Sequence, residues 1–199
     1  IEVNSSTLTI NSQYHEEFTV NINMPGLYNA YNALSAITMA VELGISIQNI
    51  KKGLENYSTV FGRAETLYMN HKKVITQLIK NPIGATEVLR TVKDDSNGRL
   101  LIIINDNYAD GRDVSWLWDA NFELLSNYDK TVIVSGIRAT DMAVRLKYAG
   151  IKAENIVIIE DIQKALEKSL SFVSSEEKLY ILPTYTALLD LQKIQRKFL

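Results

Sequence analysis

The 199 residues carry 46% hydrophobic side chains, enough for a proper core, which excludes disorder as the main theme. Lys and Arg number 21 against 23 Asp and Glu, a net charge of -2, so there is no basic excess to neutralise a run of phosphates and nucleic acid is not expected as a partner. With no Cys, and with His15 and His71 lacking partners at metal-ligand spacing, disulfides, Cys-ligated zinc, iron-sulfur clusters and thiol nucleophiles are excluded, leaving chemistry to carboxylates, amides, Arg and Lys.

No apolar run approaches the roughly 20 residues of a membrane span and no leader pattern opens the chain, so the expectation is a soluble, unexported protein. The first residue is Ile1 rather than Met, and a missing N-terminal portion is expected. Two alternating runs, Glu2 to Ile10 and Glu16 to Asn23, flank Asn11-Ser12-Gln13 and predict a β-hairpin. Ala33, Leu34, Ile37, Ala40 and Val41 recur at helical spacing between Tyr28 and Leu43, with Gly44 placed to end the helix. Ser46 then caps a second helix from Ile47 to about Tyr57, with Ile47, Ile50 and Leu54 on one face. One hairpin and two helices cannot bury both sides of the hairpin, so residues 1–61 read as the tail of a larger domain, with a boundary near Phe61-Gly62-Arg63.

From residue 62 to 199 the pattern becomes strict strand and helix alternation, the signature of a Rossmann-like α/β domain with a mostly parallel sheet. Strands are predicted at Ala64 to Met69, Lys73 to Leu78, Leu100 to Ile104, Thr131 to Val134, Ile156 to Ile159 and Leu179 to Leu182. The last four are continuous apolar runs, expected to be buried on both faces. Helices are predicted at Ile83 to Val92, Val114 to Leu125, Thr140 to Ala149, Ile162 to Phe172 and Thr184 to Lys197.

Open sheets of this kind place ligands beyond the carboxyl ends of their strands. Of the strand-to-helix loops there, the outstanding one holds Asp106, Asp110, Asp113 and Asp119 within one connection, with Arg112 the single cation among them. Asp113 or Ser115 capping the next helix and an Asp110-Gly111 turn would explain part of it, but capping accounts for one Asp, not four. The loop also exceeds the usual length of strand-to-helix connections, and long loops tend to carry function. Lys80-Asn81-Pro82-Ile83-Gly84 is either an anion-receiving helix start or an ordinary one. Ser135-Gly136-Ile137-Arg138 offers a similar helix start with an Arg, and Pro183-Thr184-Tyr185-Thr186 is the fourth such loop. Asn29 and Asn32, spaced by three at the start of the long helix, suit either a base edge or a cap. Neither G-x-G-x-x-G nor G-x-x-x-x-G-K-[ST] is present, so a phosphate loop, if ATP is used, lies in sequence outside this chain.

Gly26-Leu27-Tyr28-Asn29-Ala30-Tyr31-Asn32-Ala33, Leu43-Gly44-Ile45 and Gly62-Arg63-Ala64-Glu65 resemble the end of the central ATPase domain of Mur ligases and its junction to their C-terminal domain, with Tyr28 standing where many members have His. The pieces Lys80-Asn81-Pro82-Ile83-Gly84, Asp106-Asn107-Tyr108-Ala109-Asp110-Gly111-Arg112-Asp113-Val114-Ser115-Trp116 and Leu182-Pro183-Thr184-Tyr185-Thr186 resemble the MurT branch, the ligase-like subunits of lipid II isoglutaminyl synthase. In ordinary Mur ligases the loop resembles Asp-Asp-Tyr-Ala-His, so Asp110 replaces the His and Gly111-Arg112-Asp113 is the branch's extension.

The resemblance implies an ATP- and Mg²⁺-dependent amidation of the D-glutamate α-carboxylate of lipid II, through an acyl phosphate attacked by ammonia. The ammonia would come from glutamine hydrolysed by a separate glutamine amidotransferase subunit of the GatD type, in a heterodimer acting in the cytoplasm at the inner face of the bacterial membrane. It implies Asn29 and Asn32 at the adenine, Arg63 near the nucleotide phosphates, and Asp106 facing the nucleotide across an interdomain cleft. Asp113 would complete, in trans, the partner's Cys-His pair, while Lys80, Asn81, Asp110 and Arg112 would be substrate or loop residues. The phosphate loop and the Mg²⁺ ligands would lie before Ile1, so no metal ligands are expected here and this chain alone should not ligate. The alternatives are an amino acid-adding ligase resembling folylpolyglutamate synthases, and a non-catalytic docking module.

Overall fold

The structure, a computed structural model, describes residues 5–12, 15–23, 27–57 and 63–198. Two compact units divide the chain, Ile1–Ala64 and Glu65–Leu199. In the first, β1 (Ser6–Ile10) and β2 (Phe18–Ile22) pair antiparallel, with Leu8 opposite Val20. α1 (Leu27–Glu42) and α2 (Ile47–Glu55) follow, and the Ser46 hydroxyl accepts the Asn49 amide as the cap of α2. Val20, Ile37 and Ile50 form the buried centre, with Leu8, Phe18, Ile47 and Leu54 packed around it. Leu34 departs from expectation: it is exposed, and with Leu8, Ile10, Leu27 and Tyr31 it lines an open groove of 540 Å³. The expected junction at Phe61-Gly62 lies outside the described residues.

The second unit carries a six-stranded sheet. β3 (Arg63–Met69) and β4 (Lys72–Gln77) are joined by Asn70 and His71, both at positive φ as a type I′ turn requires. β5 (Gly98–Ile103), β6 (Val132–Ser135), β7 (Ile156–Ile158) and β8 (Lys178–Pro183) complete it in the order β3-β4-β8-β5-β6-β7. The β4–β8, β8–β5, β5–β6 and β6–β7 pairs are all parallel. On one face, α3 (Pro82–Lys93), α4 (Trp116–Asp119) and α5 (Ala139–Tyr148) cover Leu100, Ile102, Val134 and Leu182. On the other, α6 (Ile162–Phe172) and α7 (Tyr185–Gln195) cover Leu101, Ile103, Ile133 and Ile181.

Two expectations need correction. β7 is not buried on both faces: it lies at the sheet edge, and Ile158 is exposed. The single helix expected over Val114 to Leu125 is broken into α4 and a 3-10 turn over Phe122–Leu125, because Ala120 adopts an extended ψ of 138°. Arg145 explains the break. Its buried guanidinium donates to the carbonyls of Leu117 and Ala120, each at 2.8 Å, and to Glu123 at 2.9 Å, while the Asn121 amide turns to Thr86. Carbonyls satisfied by a side chain do not need the amides of a continuing helix.

The amino ends of the parallel strands are tied by charged pairs. Glu177 accepts from Arg99 at 2.9 Å and from Lys130 at 3.1 Å, and Asp95 accepts from Tyr180 at 2.6 Å and pairs with Lys178 at 2.7 Å. Burial works to raise the Glu177 carboxyl, but the Ser174 amide, Lys130 and Arg99 outweigh it and hold the group at about 2, below its ordinary 4.5. A depressed folded value means that Glu177 stabilises the fold fully above pH 4.5 and that this contribution fades as pH falls toward 2. Glu177→Gln is therefore expected to cost about 1–3 kcal/mol at neutral pH and to flatten the acid limb of stability. Urea unfolding at several pH values checks this, and an unchanged acid slope would contradict it.

Candidate functional site

β5 and β8 are neighbours whose following segments leave to opposite faces of the sheet, α4 to one and α7 to the other. Their carboxyl ends, where the chain thus diverges, are where ligand sites of open α/β sheets form. Asn105, buried just beyond β5, stitches these strand ends together. Its amide donates to the Thr184 hydroxyl at 2.9 Å, its side-chain oxygen accepts the Ile137 amide at 3.1 Å, and its side-chain nitrogen donates to Thr186 at 3.2 Å. One side chain thus joins the ends of β5, β6 and β8.

Asp106 follows and is buried, with one oxygen accepting both Nε and Nη2 of Arg138 at 2.9 and 2.6 Å. The hydrogen bond to Asp106 and then its charge hold the Arg138 guanidinium above its usual range, so the guanidinium stays charged. Gly136, at φ 88°, lets the β6 loop pass close enough to β5 for Arg138 to reach.

In the Asp-rich loop, each acid with a polar contact has its own partner. Asp106 meets Arg138, Asp110 meets Thr186, and Asp113 accepts the Ser115 amide at 2.8 Å, while Asp119 is exposed. The Arg112 guanidinium lies over the Tyr108 ring at 5.2 Å. Asp113 is exposed, and the Ser115 amide, then the Ser115 hydroxyl, hold its carboxyl below the usual carboxylate range. It is a fixed surface anion.

Lys80 is exposed at the end of the β4 segment, and Asn81 caps α3 by accepting the Gly84 amide at 2.8 Å, with Pro82 beginning the helix. In the first unit Asn32 is exposed whereas Asn29 is buried, so their carboxamides occupy different environments despite the spacing of three. The Arg63 side chain lies outside the described residues. Among the described residues, no three His, Cys, Asp or Glu side chains are grouped to hold a metal ion, and no helix is long and apolar enough to cross a membrane.

Asn105, Arg138, Thr184 and Thr186 were not singled out as site residues by the sequence, although each belongs to or borders a loop flagged at a strand end. Their contacts span 32 to 81 residues, and no local spacing encodes them.

Residues 78–188 match the family described as MurT ligase C-terminal. The chain belongs to this family. It is 40% identical over 177 residues to the lipid II isoglutaminyl synthase (glutamine-hydrolyzing) subunit MurT of Streptococcus pneumoniae, covering 87% of this chain and 39% of that protein. The subunit of the same name from Staphylococcus aureus strain COL is 36% identical over 194 residues, covering 96% of this chain and 42% of that protein. The chain thus spans about two fifths of the length of these curated relatives. A crystal structure of MurF from Acinetobacter baumannii superposes with a TM-score of 0.72 at 16% identity, over 98% of this chain and 43% of that one, which shows the Mur ligase fold. Within this MurT-family chain the matched span takes in β5, β6, the whole Asp-rich loop and Thr186.

Proposed function

We propose that this chain is the C-terminal part of a MurT-type subunit of an ATP-dependent, glutamine-hydrolysing amidotransferase. The whole enzyme would convert the D-glutamate α-carboxylate of lipid II to an acyl phosphate at the expense of ATP, and ammonia would displace phosphate to leave D-isoglutamine. The observation that carries the reading is Asp113, an exposed carboxylate held by the Ser115 amide, in a chain with no Cys of its own. A carboxylate so placed can accept the ring N–H of a histidine on a GatD-like glutaminase, fix its tautomer, and stabilise the imidazolium formed when it takes the proton of a cysteine thiol. The thiolate then attacks the glutamine carboxamide, the imidazolium returns the proton to the nitrogen so that ammonia leaves as the C–N bond breaks, and water hydrolyses the resulting thioester to glutamate and the free thiol.

For the nucleotide, we propose Asn32 and Asn29 on the first unit and Arg63 at the junction. Asn32, being exposed, offers the donor and acceptor pair that a base edge requires. On the second unit Asp106 is the proposed nucleotide-side carboxylate, oriented by Arg138. Lys80 supplies an exposed cation at the end of the β4 segment, while Asn81 shapes the start of α3. The Mg²⁺ that accompanies ATP neutralises phosphate charge, and its ligands are proposed outside this chain.

Glutamine hydrolysis by the cognate glutaminase, measured with and without the full-length subunit, tests the reading. A stable complex with stimulated turnover is expected. A partner that neither binds nor responds would transfer the case to an amino acid-adding ligase.

A further inference from the structure

Asp110 is turned inward, onto the start of α7. Thr184 occupies the cap position of that helix, yet its hydroxyl is taken by the Asn105 amide and makes no cap bond to the helix. Asp110 supplies the missing acceptor from 76 residues away: its Oδ1 accepts the Thr186 amide at 2.8 Å. Its Oδ2 accepts the Thr186 hydroxyl at 2.5 Å and the Asn107 amide at 3.1 Å. The Thr186 hydroxyl oxygen in turn accepts from the side chains of Asn105 at 3.2 Å and Asn107 at 2.9 Å. A loop long enough to wander is thereby pinned to the helix that follows β8.

Only Gly111 and Arg112 separate this pin from Asp113. Asp113 is itself tied forward to Ser115, and Arg112 rests on Tyr108, so the short stretch is held at both ends. The body of α7 does not depend on the pin, because Ala187, Leu188 and Leu191 are buried in the core. Loss of the pin should therefore free the loop rather than unfold the helix.

We propose that the Asp110–Thr186 pair is a positioning clamp that sets where Asp113 meets the glutaminase histidine. The inference rests on the reading of Asp113 given above. Asp110 and Thr186 are positioning residues, because they act through Asp113 and not on glutamine. A displacement of about 1 Å at a catalytic group costs on the order of 10²-fold in rate, so the clamp's effect should appear in turnover.

The test uses the full-length subunit assembled with its glutaminase and compares Asp110→Asn, Thr186→Val and Thr186→Ser. Asp110→Asn places a donor against the Asn107 amide or the Thr186 hydroxyl, and Thr186→Val removes the hydroxyl at nearly constant volume. Each is expected to lower kcat for glutamine hydrolysis by about 10–100-fold with the glutamine KM and partner Kd unchanged. Thr186→Ser keeps the hydroxyl and should restore turnover, and the double variant should be no worse than the poorer single. Amide exchange over residues 111–115 should quicken in the two impaired variants and not in Thr186→Ser. Unchanged kcat, or a loss that Thr186→Ser shares or that follows partner Kd, would overturn the clamp. Asp113→Asn is assayed alongside. If it is inactive while Asp110→Asn is fully active, the clamp falls alone, and if it is fully active the role of Asp113 falls and the clamp with it.

Discussion

Asp113→Asn is expected to lower glutamine hydrolysis by the assembled enzyme by about 10²–10⁴-fold while the two subunits still bind. The substitution keeps the side chain's size and leaves an oxygen able to accept the Ser115 amide, which now sits 2.8 Å away. What it removes is the charge that stabilises an imidazolium and the acceptor that selects one tautomer of a neighbouring histidine. The Ser115 amide already holds the Asp113 carboxyl below the usual carboxylate range, so the wild-type charge is present throughout the neutral region. The deficit of the variant should therefore be the same at pH 6 and pH 8 as far as Asp113 is concerned, and the pH dependence of turnover should come from the partner's Cys and His. Steady-state glutaminase assays across this range, with binding measured separately, decide the point. Equal turnover in variant and wild type would remove the in-trans carboxylate from the mechanism.

The sheet was legible because β5, β6 and β8 are central strands covered on both faces, and residues buried on both faces leave a continuous apolar run. The same run misled at β7, since Ile156, Val157 and Ile158 are equally apolar at an edge where the outer strand is absent. Composition reports what a strand can tolerate, while its place in the sheet is decided by chain crossings that periodicity does not register. The broken helix after the Asp-rich loop is a second instance. Leu117, Ala120 and Leu125 have helical spacing and are all buried, yet Arg145 holds the carbonyls of Leu117 and Ala120 and divides the segment.

At the site, the loops were legible and the partnerships were not. Asp106, Asp110 and Asp113 drew attention as clustered acids, and the structure separates them onto an arginine, a helix start and a backbone amide. The self-repulsion that made the cluster suspicious is relieved by partners far away in the chain. Asn105 carried no signal, being one Asn at the end of an apolar run, although it makes contacts to two other segments, the loop after β6 and the start of α7.

Gly136→Ala should be the most damaging single methyl in the second unit. The backbone there lies at φ 88°, a region that costs an L-residue about 1–2 kcal/mol, and a Cβ would stand 2.6 Å from the Ile104 carbonyl oxygen and 2.7 Å from Asn105 Oδ1. Neither neighbour can withdraw cheaply: the Ile104 carbonyl accepts the Arg138 amide at 2.9 Å, and Asn105 is fixed by the contacts that join three strand ends. The expected loss is about 2–4 kcal/mol, or roughly 5–15 °C in Tm for a domain of this size. Gly111→Ala is the matched comparison, since Gly111 lies at φ 85° with nothing within 4 Å of its would-be Cβ. It should therefore show the backbone cost alone, about 1–2 kcal/mol. Thermal unfolding of the two variants measures the difference, which is the cost of the close approach between the β5 and β6 loops. That approach brings Arg138 onto Asp106, so Gly136→Ala should also weaken this half-buried ion pair, and a double-mutant cycle with Arg138→Met should show strong coupling between the two positions. If Gly136→Ala costs no more than Gly111→Ala, the approach of the β5 and β6 loops is looser than these contacts require, and Asp106 is not held in place by the packing of its neighbours.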